Sequence, residues 1–142
     1  MSLGEIMDKK DLTYHVKHSY YQSEVVVRNK EQDVAFMYFK IKGSKCNLAL
    51  IRVEPDYRRK GISTILLQIL ENECLKEDAT IIEGRFFPEN KNARFMYEKH
   101  GYTIYQDGYE QYLIKSNLSS YDMTNLNIEI RDSRVNNDSL GV

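Results

Sequence analysis

"EPDYRRKGIS", residues Glu54 to Ser63, follows the apolar run Leu48-Ala49-Leu50-Ile51-Arg52-Val53 and precedes a stretch of helical periodicity. Pro55 stops a strand, because it has no N–H to donate, and Gly61 permits a tight turn into a helix. The amides from Arg59 to Thr64 then point outward from the helix N-terminus, where free donors and the helix dipole favour negative charge. Cations do nothing for such a helix, since its N-terminal dipole disfavours them. Arg58, Arg59 and Lys60 therefore stand where the helix prefers carboxylates, and the misfit points to an anion supplied from outside. A solvated basic turn is the competing reading. The Gly-Lys-Ser/Thr ending of a nucleotide-binding phosphate loop is absent, and a dinucleotide fingerprint needs more glycines than Gly61 alone. A bulky ligand carrying a diphosphate remains, which suits a nest of backbone amides.

Upstream of this turn the chain reads as strands. Leu12 to His18 alternates weakly, Glu24-Val25-Val26-Val27-Arg28 is β-branched, and Val34 to Ile41 follows a polar turn, as in an antiparallel hairpin. Cys46 to Val53 is the fourth strand; its nearly continuous apolar run predicts cover on both faces. Downstream, Ile62, Ile65, Leu66, Ile69, Leu70 and Leu75 recur at steps of three and four, with Thr64, Gln68, Glu71 and Asn72 opposite, which predicts an amphipathic helix. Thr80 to Phe87 is a fifth strand, broken by Pro88. Asn90 is suited to cap a short helix that runs to Lys99 and ends at a left-handed Gly101. Tyr102 to Gln106 and Tyr109 to Lys115 flank Asp107-Gly108, a strong hairpin signal. Leu126 to Ile130 suits one added strand, and 136–142 reads as a frayed tail.

The expected fold class is thus α/β (α+β): a mixed, mostly antiparallel sheet of six to seven strands flanked by helices. A single domain is expected over residues 1–118, with a polar extension over 119–142. At 142 residues the chain suits one core, and 42% hydrophobic with 29% charged residues places it among globular proteins rather than disordered ones. A formal net charge of −1 disfavours nucleic acid as the main partner. Cys46 and Cys74 form no CxxC and meet no His pair at ligand spacing, so neither a disulfide framework nor a metal site is expected. No membrane span is expected, and the cytoplasm is the expected location.

Val53-Glu54-Pro55-Asp56-Tyr57-Arg58-Arg59-Lys60-Gly61-Ile62-Ser63 closely resembles the acetyl-CoA motif of the GNAT superfamily of N-acetyltransferases, V-x-P-x-[YF]-[RQ]-x-x-G-[IV]-[GA]. Asn90-Lys91-Asn92-Ala93-Arg94-Phe95-Met96-Tyr97-Glu98-Lys99-His100-Gly101-Tyr102 resembles that family's N-x-x-A-x-x-[FL]-Y-E-K-x-G-F segment. The resemblance covers Val34 to Lys115 well and the first thirty residues poorly. It implies that Ile51, Arg52 and Val53 pair with the pantetheine arm of acetyl-CoA. It further implies that the amides of Arg59, Lys60, Gly61, Ile62, Ser63 and Thr64 cradle the diphosphate, that Arg58 opens the loop, and that Asn90 and Ala93 lie at cofactor contacts. It also implies that the fourth and fifth strands splay around the thioester, and that Tyr97, itself at the cofactor, protonates the departing thiolate.

The chemistry agrees with that assignment. Attack of an amine on a thioester needs a polarised carbonyl, which a backbone N–H near Val53 can supply, and a proton for sulfur, which a phenol retains at neutral pH. No covalent enzyme intermediate is required, so Cys46 and Cys74 are read as core residues. Glu83, which shares a strand face with Arg85, is the favoured general base; Glu54 is the other candidate, and a surface carboxylate paired with arginine is the alternative for both. Ser63 departs from the family's Gly or Ala. The two helices that usually follow the first strand have no room in His18-Ser19-Tyr20-Tyr21-Gln22-Ser23, so the acceptor wall is expected to be thin or to be completed by loops, the C-terminal segment or a second subunit. The expected activity is acetyl transfer to a primary amine of a small molecule, peptide or protein. A non-catalytic acyl-CoA-binding module is the alternative.

Overall fold

The computed structural model describes residues 11–87 and 91–134. Their eight strands form a mixed sheet: β1 Leu12–His18, β2 Ser23–Asn29, β3 Gln32–Lys42, β4 Lys45–Val53, β5 Ile81–Phe86, β6 Thr103–Asp107, β7 Glu110–Lys115 and β8 Asn127–Asp132. The helices are α1 Ile62–Lys76 and α2 Lys91–Lys99, with a 3-10 turn over Pro55–Tyr57. The strand order is β6-β7-β5-β4-β3-β2-β1-β8. β4 and β5 run parallel, as a strand–helix–strand crossover demands, and β8 runs parallel to β1; the pairings β1–β2, β2–β3, β5–β7 and β6–β7 are antiparallel. The expected fold class is borne out, with one strand more than the six to seven anticipated. β1 enters β2 directly through a turn in which the Ser19 N–H and Oγ–H both donate to the Gln22 carbonyl, and no helix intervenes.

By their contacts the described residues divide into two compact units. The first holds 11–39, 50–66 and 122–134; the second holds 40–49, 67–87 and 91–121. In the first, β1 and β2 alternate as a half-buried sheet requires: Leu12, Tyr14, Val16, Val25 and Val27 are buried, while Thr13, His15, Lys17 and Glu24 alternate with them. In the second, Cys46, Leu48, Leu70, Cys74, Ile82 and Leu113 are buried. Both thiols are free, and a hydrogen bond to Cys74 together with burial pushes the Cys46 thiol up, so it stays protonated and inert.

Two sequence expectations are corrected here. β4 is not covered on both faces: Asn47 and Ala49 are exposed, and Leu50 is 45% exposed. The polar face assigned to α1 is also partly wrong, since Glu71 and Glu73 are buried and Leu75 is exposed. The chain that follows β7 runs along that side of the helix. The Ser119 N–H donates to Glu71 Oε1 at 3.0 Å, the Tyr121 N–H to Asn72 Oδ1 at 2.7 Å, and Asn72 Nδ2 to the Tyr121 carbonyl at 2.9 Å. Periodicity within one helix carries no record of a partner that arrives some fifty residues later.

The β4–β5 ladder is short. It runs from Lys45↔Ile81 to Leu48↔Gly84 and stops there, although β4 continues to Val53 and β5 to Phe86. Gly84 marks the end point: a Cβ at this position would stand 2.5 Å from the Leu48 carbonyl oxygen. Backbone cannot yield as a flexible side chain can, so Gly84→Ala is expected to destabilise the fold by about 1–3 kcal/mol. A urea titration measures this, and an unchanged midpoint would contradict the close approach.

Candidate active site

The first unit carries the loop that joins β4 to α1. Pro55 opens the 3-10 turn, and Tyr57, 3% exposed, anchors it: its hydroxyl accepts from Asn29 Nδ2 at 3.1 Å and donates to Gln32 Oε1 at 3.4 Å, both at the β2–β3 turn. Arg58 folds back, donating Nε–H to the Val53 carbonyl at 2.9 Å. It is thus a brace between the end of β4 and the loop, a role that its charge alone could not reveal. Arg59 and Gly61 both have positive φ, 62° and 82°. Alternation of left-handed residues with others turns successive N–H groups toward one side, which is the geometry of an anion-binding nest. The first internal bond of α1 runs from the Ile65 N–H to the Gly61 carbonyl at 3.2 Å, so the amides ahead of it lie at the helix's open end. α1 carries no acidic residue in its first turn.

Ile51 is half-buried and Val53 buried, while exposed Arg52 approaches Glu54 at 3.7 Å. Glu54 is therefore a partly exposed carboxylate beside an arginine, the bland alternative weighed for it. Ile62 is buried, holding the helix start in the core, and Ser63 and Thr64 are half-buried. Asn90, expected as cap and cofactor contact, lies outside the described residues, as do Pro88 and the tail over 136–142.

The second unit carries Glu83, Ala93 and Tyr97. α2 ends as Gly101 predicted, at φ 86°, with the Tyr102 N–H returning to the Tyr97 carbonyl at 3.0 Å. Tyr97 is 6% exposed, its ring 5.7 Å from that of Phe86 and 5.6 Å from that of Tyr102. Burial pushes its phenol up to about 12, so it holds its proton throughout the physiological range. Alternation along β5 puts Phe86 on one face and Glu83 with Arg85 on the other. A phenol and a carboxylate thus flank β5 from opposite sides. Arg85 is engaged not by Glu83 but by Glu110, at 3.5 Å, and Glu110 accepts from the Tyr112 hydroxyl at 2.6 Å. That hydrogen bond, then the charge of Arg85, holds the Glu110 carboxyl below its usual range.

His100 directly follows α2, whose last turn carries the basic Lys99. Burial, then the charges of Lys99 and Lys115, push its imidazole down, and it is Lys115 that donates to the His100 carbonyl at 2.9 Å.

The buried phenols make an alkaline test. Tyr14 and Tyr97 are both pushed up to about 12 by burial, from an ordinary value of 10.0. The folded state therefore holds these protons more tightly than the unfolded chain does. The resulting stability is complete below pH ~10 and is lost as the pH rises toward ~12, by about 3 kcal/mol per phenol. Urea midpoints measured across this window are expected to fall, and to fall less in Tyr14→Phe; parallel profiles would refute the assignment.

These features together describe a class: an α+β protein with a mixed sheet, a short parallel β4–β5 ladder and a loop with left-handed Arg59 and Gly61 at the start of the crossover helix, the architecture of acetyltransferases. The chain belongs to the GNAT acetyltransferase family, whose acetyltransferase (GNAT) domain model matches residues 19–104, more than half of the sequence. Similar solved structures share the fold. PaiA N-acetyltransferase from Thermoplasma acidophilum, in complex with coenzyme A, is 21% identical with a TM-score of 0.62 over 66% of this chain, which spans 59% of that one. The ribosomal-protein-S18-alanine N-acetyltransferase from Escherichia coli is 23% identical with a TM-score of 0.60, covering 77% of this chain and 76% of that one. Arabidopsis thaliana Naa50, in complex with the bisubstrate analogue CoA-Ac-MVNAL, is 17% identical with a TM-score of 0.57, covering 64% and 70%. No match is found among curated protein sequences. Among the described residues, no helix is long and apolar enough to cross a membrane, and no group of three or more His, Cys, Asp or Glu side chains could hold a metal.

Proposed function

We propose that this protein transfers the acetyl group of acetyl-CoA directly to a primary amine of a small molecule, peptide or protein. The observation that carries the reading is Tyr97: a buried phenol, held protonated, on the short helix where the family's motif has its tyrosine. The amides from Arg59 to Thr64 hold the diphosphate, and Ile51 to Val53 pair with the pantetheine arm along the part of β4 that lies beyond its ladder with β5. Asn90 and Ala93 add cofactor contacts. Glu83, on the other face of β5 from Phe86, draws the proton from the incoming ammonium, directly or through water. The neutral amine attacks the thioester carbonyl, the oxyanion is met by backbone N–H near Val53, and the C–S bond breaks as Tyr97 gives its proton to sulfur, leaving CoA and the acetylated amine. The reading takes 1–118 as the catalytic domain and 119–142 as an extension, in the cytoplasm.

The similar proteins support amine acceptors of several kinds, with a ribosomal-protein alanine in one and a peptide-bearing bisubstrate analogue in another. The direct β1–β2 turn supports a second reading, an acyl-CoA-binding module without catalysis, because it supplies no acceptor wall; a homodimer could complete one. Titration with acetyl-CoA tests the cosubstrate. At ~100 times the dissociation constant, binding adds about 2.7 kcal/mol to stability, a melting shift on the order of 5–10 °C for a domain of this size. Arg59→Ala with Lys60→Ala, which spares the Arg58 brace, is expected to weaken binding about tenfold, with a shallower salt dependence. No shift at millimolar acetyl-CoA would sink both readings. Acetylated amine formed by the wild type favours the first over the second.

A further inference from the structure

Among the described residues of the second unit, two buried side-chain oxygens lack a hydrogen-bond partner, the Tyr102 hydroxyl and Gln111 Oε1, and only the second is purely an acceptor. Gln111, near the start of β7, has its side-chain Oε1 sealed from solvent with no hydrogen-bond partner among the described residues. Its neighbours on the strand are spoken for, Glu110 and Tyr112 bonding each other. Gln111 sits directly across from Phe86 in the β5–β7 ladder, so the two share a face. Phe86 packs its ring against that of Tyr97 at 5.7 Å. Gln111 and the phenol assigned to the leaving sulfur therefore share Phe86 as a neighbour, Gln111 across the ladder and Tyr97 through its ring. An unpaired buried acceptor is costly to keep, and leucine or methionine would fill the position without that cost.

The chemistry of the missing donor is constrained. A carboxamide oxygen is neutral, so it suits a neutral N–H; an ammonium buried against it would leave a charge without compensation. In the pantetheine arm of CoA, the terminal amide N–H is joined to the sulfur by a single ethylene link. A group placed beside the residue that meets this sulfur lies beside that amide as well.

We infer that Gln111 is a cosubstrate-binding residue whose side-chain carbonyl accepts a hydrogen bond from the terminal pantetheine amide of CoA. The contact fixes the rotation of the arm and so presents the thioester to Tyr97 in one orientation, a gain of the kind that positioning gives to reaction rates. The inference rests on the assignment of Tyr97 to the CoA sulfur.

The test compares two ligands on the full chain: CoA, and the fragment that ends at its diphosphate, 3′-phosphoadenosine 5′-diphosphate. Gln111→Met is expected to weaken CoA about tenfold, the loss of one buried hydrogen bond, and to leave the fragment's affinity unchanged. Gln111→Glu, close in shape, checks that shape alone does not restore CoA binding, because a buried carboxylate is penalised. Melting curves without ligand report folding, and Gln111→Met is expected to melt no lower than the wild type. Equal affinities of wild type and Gln111→Met for CoA, or equal losses for both ligands, would overturn the inference while leaving the proposed activity standing. A wild type that binds neither ligand would remove that activity, and the inference with it.

Discussion

Tyr97→Phe is expected to slow acetyl transfer by ~10²–10⁴-fold, the usual contribution of a positioned general acid, with CoA affinity unchanged. Phenylalanine keeps the ring against Phe86 and Tyr102 and removes only the phenolic proton, the one that the proposed mechanism gives to sulfur. The pH profile follows from the burial of the phenol. With its titration pushed up to about 12, Tyr97 stays in its acid form wherever the amine acceptor becomes neutral. The wild-type rate should rise as the amine loses its proton, and Tyr97 should impose no falling limb below pH ~10. Full activity in Tyr97→Phe would give the proton to water or to another group, and the phenol would then be packing alone.

The second large effect concerns the fold. Lys115 is 11% exposed and Glu71 only 2%; Nζ lies 3.0 Å from Oε1 and 3.1 Å from Oε2 of the carboxylate, donates to the His100 carbonyl, and stands 5.5 Å from the centre of the Tyr102 ring. Glu71 Oε1 also accepts from the Ser119 N–H. Glu71→Ala leaves an ammonium buried without its counter-charge and releases the chain that follows β7. The expected cost is about 3–5 kcal/mol, a fall in melting temperature on the order of 10–20 °C. Exchange of both partners for apolar residues of similar size should cost much less, since no charge is then left unpaired. Calorimetry on Glu71→Ala and on the double variant Glu71→Leu with Lys115→Met separates the two cases; equal losses would mean that the pair acts through packing and not through charge.

Much of this molecule is legible along the chain because its signals are local. Pro55, Gly61, Gly101 and Asp107-Gly108 constrain backbone directly, so the turn into α1, the end of α2 and the β6–β7 hairpin follow from residue chemistry alone. The basic turn pointed to an anion loop because cations at a helix start are a local contradiction. What adjoining sequence cannot carry is the identity of distant partners. Arg58 reads as one more cation until its Nε–H meets the Val53 carbonyl, and Tyr57 as a motif letter until Asn29 and Gln32 bind its hydroxyl. Glu71 and Asn72 read as a solvated face because Ser119 and Tyr121 arrive from far down the chain. Leu50 reads as core because apolar runs usually are, yet it is exposed where β4 has outrun its ladder with β5. Local backbone preference determined the elements and the turn into α1; tertiary packing alone decided which polar groups are buried, which are braces, and which, like Gln111 Oε1, stand without a partner among the described residues, because hydrogen bonds and desolvation depend on neighbours in space rather than in sequence.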